Sequence, residues 1–300
     1  MRRIVGKDKK GRTVLINVPS YDDMYINNQF GPQTAYNIAI SSNGSGSADA
    51  SAAASGTQKA IFGYGYNGGG TYYSVTNLLS NTGVVATDTT GVGTARYLLA
   101  AAGYGTDKAI FGYGTNDATI LSITNLVSNT GVVATNTTGV GTVRFGLAAA
   151  GYGTDKAIFG YGSSGAARLS LTNLVSNTGV VATDTTGVGT VRYQLAAAGY
   201  GTDKAIFGYG YEPVTGLTSI TNLVSSTGVV ATDTTGVGTA RYGPAAAGYG
   251  TDKAIFGYGY TGLNVSITNL VSNTGVVASN QTALTGTGRY QLAAAGYSLS

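Results

Sequence analysis

The residues of this chain that could do chemistry recur at fixed intervals. Asp–Lys pairs stand at Asp107, Asp155, Asp203 and Asp252, and the phrase T-[DN]-T-T-G carries Asp88, Asn136, Asp184 and Asp233. As calcium sites the first set would need several more oxygens each, so turn-stabilising Asp is the reading taken. An Asx turn is the reading taken for the second. Arginines recur as Arg96, Arg144, Arg192, Arg241 and Arg289. They could pair with those acids or ring a channel, and they are read as structural. Gly-x-Gly phrases such as Gly63–Gly65 and Gly91–Gly93 precede no helical pattern, which removes the phosphate-loop reading. Glu212 is the only Glu, so it has no partner Glu for a glycosidase pair. Cys, His and Trp are absent. That excludes disulfides, thiol nucleophiles, Ser-His-Asp triads and Cys- or His-ligated metals. The expectation is a protein that is not an enzyme and uses no cofactor and no metal.

The elements that position these residues must be strands. Of 300 residues 48 are Gly and only 4 are Pro, which weighs against long helices and against collagen. The hydrophobic share of 43% weighs against wholesale disorder. The phrase KAIFGYG begins at Lys59, Lys108, Lys156, Lys204 and Lys253, at intervals of 48 or 49 residues. Each unit holds four short strand candidates: a (LAAAGY), b (KAIFGY), c (SITNLV) and d (VVAT). The turns GTD and SNTG separate a from b and c from d. Four strands in about 48 residues, repeated in tandem, describe the blades of a β-propeller. Strand a, built of small residues, suits the crowded innermost position. Ile-Phe of strand b, as in Ile158-Phe159, suits packing between blades. A parallel β-solenoid is the competing fold, disfavoured by the hairpin turns.

The order Arg, small residues, turn, K-A-I-F-G-Y-G resembles a kelch repeat, five times over about residues 59–297. Two departures stand out: the double glycine is split into Gly-Tyr-Gly, and the outer-strand Trp is missing. The phrases KAIFGYG, SNTGVVATDTTGVGT and LAAAGYG are similar to those of kelch-like bacteriophage proteins, particularly marine and freshwater ones, assigned as virion or tail-fibre components. The resemblance implies an all-β, five-bladed kelch-like β-propeller and a virion structural protein. The last LAAAGY copy, 292–297, has no strand b after it, and its simplest use is to complete blade 1 beside Lys59–Tyr64. Residues 48–58 align with strand a and are the alternative.

Residues 1–20 hold six basic side chains against one acid, and residues 1–44 have no relative among the repeats. The organisation expected is an anchoring arm at 1–44, a small-residue linker or first innermost strand at 45–58, and a propeller at 59–300. Arg2, Arg3, Lys9, Lys10, Tyr21, Met24, Tyr25 and Phe30 are the anchoring candidates, docking on other virion proteins. No apolar stretch follows the basic start and no long apolar run occurs, so neither a signal peptide nor membrane insertion is expected. Assembly in the host cytoplasm into an oligomeric virion component fits that pattern.

Variation between repeats falls in the b–c loops and two residues after each Arg, positions that a meander places on one face. The contents suit recognition of a host surface glycan or protein: Tyr66, Tyr72, Tyr73, Asn116, Asp117, Arg168, Gln194, Tyr211, Glu212, Tyr260, Asn264 and Gln291. Tyr presents a large, stiff contact at low entropic cost. No repeated blade contact is expected to depend on these side chains. The function expected is an arm-anchored fibre or decoration whose propeller face contacts the host. A soluble lectin-like carbohydrate-binding propeller is the alternative.

Overall fold

The structure, a computed structural model, describes residues 2–7, 13–18, 60–80, 82–281 and 286–296, the first two stretches by their backbone. The chain divides into two compact units, Met1–Ser47 and Ala48–Ser300. In the first, β1 (Arg2–Lys7) and β2 (Thr13–Val18) form an antiparallel hairpin with Arg2 opposite Val18. Arg2 and Arg3 therefore sit on a strand. Lys9, Lys10, Tyr21, Met24, Tyr25, Phe30 and the segment 45–58 lie outside the described residues.

The second unit is all-β, a series of small antiparallel sheets, with no helix among the described residues. Strands β3 (Ala60–Tyr66) and β4 (Tyr72–Leu79) pair alone. Three-stranded sheets follow. The first comprises β5 (Ala100–Tyr104), β6 (Lys108–Gly112) and β7 (Thr124–Val127), and the second β8 (Ala148–Tyr152), β9 (Lys156–Gly160) and β10 (Thr172–Val175). In the fourth repeat β11 (Ala196–Tyr200), β12 (Lys204–Gly208) and β15 (Thr221–Val224) make the sheet, with a two-residue hairpin β13 (Tyr211–Glu212) and β14 (Gly216–Leu217) in its loop. The last sheet is β16 (Ala245–Tyr249), β17 (Lys253–Tyr260) and β18 (Asn264–Val271). Register is constant: Ala148 faces Gly160, and Ala196 faces Gly208.

These elements are the a, b and c segments read from the sequence. The d segment differs from expectation. It joins strand c through isolated bridges, such as Val127 to Val133 and Val175 to Val181, and forms no ladder. Backbone bonds such as Ala134 N to Leu126 O at 2.8 Å are joined by a side chain: Asn125 Nδ2 donates to Ala134 O at 3.0 Å and to Asn136 Oδ1 at 3.1 Å.

The apolar core lies between consecutive units. Ile158 of β9 shares a cluster with Ala205, Phe207 and Val224 of the next repeat, and Ile206 with Ala254, Phe256 and Val271. A repeat alone would leave half of this core wet. Small a strands allow the approach: β5, β8, β11 and β16 lie side by side in chain order, and a Cβ on Gly151 would meet Gly103 O at 3.6 Å.

Four of the recurring arginines, Arg96, Arg144, Arg192 and Arg241, are fully buried and each clamps one joint, whereas Arg289 is exposed. Arg96 donates from Nε to Tyr113 O at 2.7 Å, from Nη1 to Thr94 O at 2.9 Å and from Nη2 to Asn125 Oδ1 at 2.7 Å. Its guanidinium lies 4.3 Å over the Tyr64 ring. Asn of strand c is thus the main side-chain acceptor; the nearest acid in the series is Asp233, 3.9 Å from Arg192 Nη1. The T-[DN]-T-T-G residues are not local Asx turns either. Asp184 accepts from Thr142 N and Oγ1, in the loop of the preceding repeat, at 2.9 and 2.7 Å.

Residues 292–296 form no ladder. Gly296 lies against Gly248 of β16, continuing the row of a strands past the fifth unit. Among the described residues no hydrogen bond joins this segment to β3, the closure expected as simplest.

Candidate recognition face

Strand b leaves its sheet at Gly-Tyr-Gly. The tyrosines Tyr64, Tyr113, Tyr161, Tyr209 and Tyr258 have φ of 62–65°. A left-handed Tyr is costly, and packing must hold it there. Tyr113, Tyr161 and Tyr209 are fully buried, each under an Arg. This kink starts the b–c loop. The loop is then pinned by the aromatic residue after each Arg: Tyr97 bridges Thr115, Phe145 bridges Ser163, Tyr193 bridges Tyr211, and Tyr242 bridges Tyr260.

Two aromatic groups result. In the first, the Tyr66, Tyr72 and Tyr97 rings lie 5.1–5.6 Å apart. Tyr97 donates its hydroxyl to Asp117 Oδ1 at 2.6 Å, and Tyr72 donates to Asp117 Oδ2. Asp117 belongs to the next repeat's loop and has φ of 64°. Its turn is built by Asn116, whose Oδ1 accepts from Thr119 N at 2.8 Å. The hydrogen bonds to Asp117 push both Tyr72 and Tyr97 up to about 12, and hold the Asp117 carboxyl below its ordinary value. Tyr73 is exposed, its hydroxyl 3.5 Å from Asn67 Nδ2.

The second group is a row. Phe145 meets Tyr193 at 6.4 Å, Tyr193 meets Tyr211 at 5.9 Å, and Tyr211 meets Tyr242 at 6.3 Å. Tyr242, Tyr260 and Tyr290 close the row at 5.2–5.8 Å. Arg168 lies 4.1 Å over Tyr193 and donates to Ser163 Oγ at 3.1 Å. Burial, then the Tyr290 and Tyr260 hydroxyls, raise the Tyr242 pKa.

Six of the twelve residues read as candidates meet in these groups. Tyr66, Tyr72 and Asp117 join the first group, and Arg168, Tyr211 and Tyr260 the second. Asn264, exposed, pairs with Tyr260. Glu212 is placed otherwise: it is buried on β13 and accepts from Thr215 Oγ1. Gln194 and Gln291 matter through their backbone. They belong to a row of bonds, Gly146 N to Leu98 O, Gln194 N to Gly146 O, Gly243 N to Gln194 O and Gln291 N to Gly243 O, of 2.6–2.8 Å. Nor are the rings free of packing load, since Tyr72, Tyr211 and Tyr260 are partly buried against neighbours.

Tyr97, Phe145, Tyr193, Tyr242 and Tyr290 were not singled out from the sequence. The available signal is the Arg-aromatic dipeptide in every repeat. At the opposite turn, Lys156 pairs with Asp155 at 3.0 Å and Asn177 Nδ2 donates to Asp155 Oδ2 at 3.0 Å. Among the described residues no three Asp or Glu gather as metal ligands, and no helix is long and apolar enough to cross a membrane. The chain matches no family model and no curated protein.

Proposed function

We propose that this protein is a non-enzymatic structural component of a bacteriophage particle. It is a fibre or decoration subunit, held by residues 1–44 to other virion proteins, that presents its b–c loops to a host surface glycan or protein. The five units are read as kelch-like propeller blades with the Ala-rich a strands innermost. One observation carries the recognition reading: the loops that differ between repeats bring Tyr66, Tyr72 and Asp117 against Tyr97, and Tyr211, Tyr260 and Arg168 against the recurring Tyr193 and Tyr242. Stacked tyrosines offer apolar faces and polar edges together, which suits sugars and protein surfaces alike. The phage resemblance supplies the particle and the host.

The test replaces three exposed rings of these loops and their neighbours, Tyr66, Tyr73 and Tyr290, with Ala. Aromatic anchors can each cost about 2 kcal/mol, on the order of thirtyfold in affinity. Adsorption to host cells should fall by at least that factor, while the melting temperature stays close to the parent. A matched Asp155→Ala change at the opposite turn should leave adsorption intact. Unchanged adsorption by the tyrosine variant would remove the recognition reading. A soluble lectin-like module remains the second reading, favoured by the stacked tyrosines. Equal sugar sites in every repeat are its weak point, because the two aromatic groups differ in composition.

A further inference from the structure

Every joint between consecutive units is built from the same parts. Phe111 stands over Gly63, Phe159 over Gly112, Phe207 over Gly160 and Phe256 over Gly208, so close that a Cβ on each glycine would fall 2.6–3.0 Å from the ring. Each ring also meets the neighbouring tyrosine edge-on: Tyr64, Tyr113, Tyr161 and Tyr209, at 5.1–5.2 Å and 61–64°. A polar clamp accompanies it, as between Thr190 Oγ1 and Asp233 at 2.7 Å.

The two ends of the array expose the two halves of this joint. At the front, Phe62 is 47% exposed where its counterparts are buried. Among the described residues Asp88 accepts only from Asn77 Nδ2, and none forms a strand on the edge of β3 away from β4. At the rear, a Cβ on Gly257 would meet, among the described residues, only Thr268 Cγ2, at 3.3 Å. Tyr258 lies under Arg289 at 4.3 Å with no phenylalanine of the described residues against it, and residues 293–296 are exposed.

We propose that these ends are a head-to-tail joint between copies of this chain. Phe62 of one copy seats against Gly257 and Tyr258 of another, and residues 293–296 of the second lie along the open edge of β3. Asp88 takes the place that Asp233 holds at an internal joint, against Thr287. The occupant is a second copy for a geometric reason. The four internal joints agree within 0.1 Å and 3° in Tyr–Phe geometry, so the step between units is fixed. Four such steps leave Phe62 in solvent. Joining the ends of one chain would require a different step; adding a copy requires none. Two different surfaces make the joint heterologous, so assemblies grow until they close as a ring or continue as a filament. This concerns the ends of the array, stands apart from the tyrosine face, and replaces closure of the five blades within one chain by closure or growth between copies.

The test uses the absence of cysteine. By the repeat register, in which Ala102 faces Ile110, Ala295 would face Ile61 of the second copy. The full chain carrying Ile61→Cys and Ala295→Cys, oxidised and run on a denaturing gel, should give a ladder of multimers that collapses on reduction. A disulfide confined to single chains, or none, overturns the proposal. A second experiment needs no cross-link. Phe62→Ser breaks the front and Gly257→Leu fills the rear slot. Each variant alone should sediment as a monomer at concentrations where the parent associates. Their equimolar mixture should give dimers and nothing larger, through the one intact pair of ends, and dimers also show that both variants fold. A mixture that stays monomeric while both variants melt cooperatively, or a parent that is monomeric throughout, overturns it as well.

Discussion

Phe207 occupies the space that any side chain on Gly160 would need. A Cβ there would stand 2.6 Å from ring Cζ and 2.9 Å from Cε1. The ring cannot yield, because it is fully buried and meets Tyr161 edge-on at 5.2 Å, while Arg192 lies 4.2 Å over the same tyrosine. Glycine, tyrosine, phenylalanine and arginine thus form one packed joint drawn from two repeats.

Gly160→Ala should therefore destabilise the protein by about 1–3 kcal/mol, the usual cost of overpacking a core. Gly103→Ala is the control, since its Cβ would meet nothing closer than Lys108 O at 3.6 Å. Its effect should stay within about 0.5 kcal/mol. Denaturant melts of the two variants make the comparison, and equal losses would contradict the joint as described.

The arginine clamp makes a second prediction. Arg192 Nη2 donates to Asn222 Oδ1, and Asn222 Nδ2 donates to Ala231 O at 3.1 Å and Asp233 Oδ1 at 2.9 Å. Burial pulls the Arg192 pKa down, opposed by Tyr161 and Asp233. Asn222→Ala strips this buried cation of its side-chain acceptor, leaving Thr190 O, and should cost about 2 kcal/mol, the scale of a hydrogen bond to a charged group. The midpoint should fall with the denaturant slope unchanged. Arg192→Lys should not preserve stability, because an ammonium lacks the planar fork that reaches Thr190 O and Asn222 together.

These partners explain what a single sequence hides. The a, b and c strands are legible because small or apolar runs are bracketed by Gly-Thr-Asp and Ser-Asn-Thr-Gly. Ile-Phe reads as core between repeats, and the structure puts the phenylalanine there in every repeat but the first, where Phe62 is exposed. Polar partners are another matter. Arg96 finds Asn125, 29 residues on, and Asp184 finds Thr142, 42 residues back. Turn rules are local, so they assign Asp184 to its own loop. The d segment reads as a strand from Val-Val-Ala-Thr, yet isolated bridges and asparagine side chains hold it in place of a ladder. Tyr193 and Tyr242 escape notice for the opposite reason: they recur with the scaffold, whereas the face was sought where repeats differ.

The first aromatic group can be read by titration. Tyr72 and Tyr97 both donate to Asp117, which pushes them up to about 12. Absorbance of tyrosinate against pH should show these two hydroxyls ionising late. Asp117→Gly removes the carboxylate and accepts the φ of 64° without strain. Two tyrosines should then titrate earlier, towards the ordinary value of 10.0. A raised folded pKa adds stability below the unfolded value and loses it as pH rises through the folded one. The parent's extra stability from this group should thus disappear between about pH 10 and 12. An unchanged titration in the variant would separate the tyrosines from Asp117.

The inter-repeat carboxylates set the acid limit. Burial works to raise the Asp184 pKa, but hydrogen bonds from Thr142 and Asn173 outweigh it and hold the carboxyl below 3.8. Asp233 behaves alike through Thr190 and Asn222. A group whose folded pKa is depressed stabilises the fold at pH above its unfolded value. That contribution is lost as pH falls through the lower, folded value. The melting temperature should therefore drop below about pH 4, as the two clamps protonate. The chain supplies its own isostere: Asn136 and Asn280 occupy the same place in other repeats, with Asn136 Nδ2 donating to Thr94 Oγ1 at 2.8 Å and Asn280 Nδ2 to Thr239 Oγ1 at 2.7 Å. In those pairs the threonine hydroxyl accepts, whereas against Asp184 it donates. Rotation of one hydroxyl lets Asn replace Asp. Asp184→Asn with Asp233→Asn should then melt near the parent at pH 7 and fall less steeply between pH 4 and 2. The same steep fall in both proteins would place the acid sensitivity elsewhere, with Asp155 and Asp252, whose carboxyls Lys156 and Lys253 hold down at the opposite turns, as the next groups to replace.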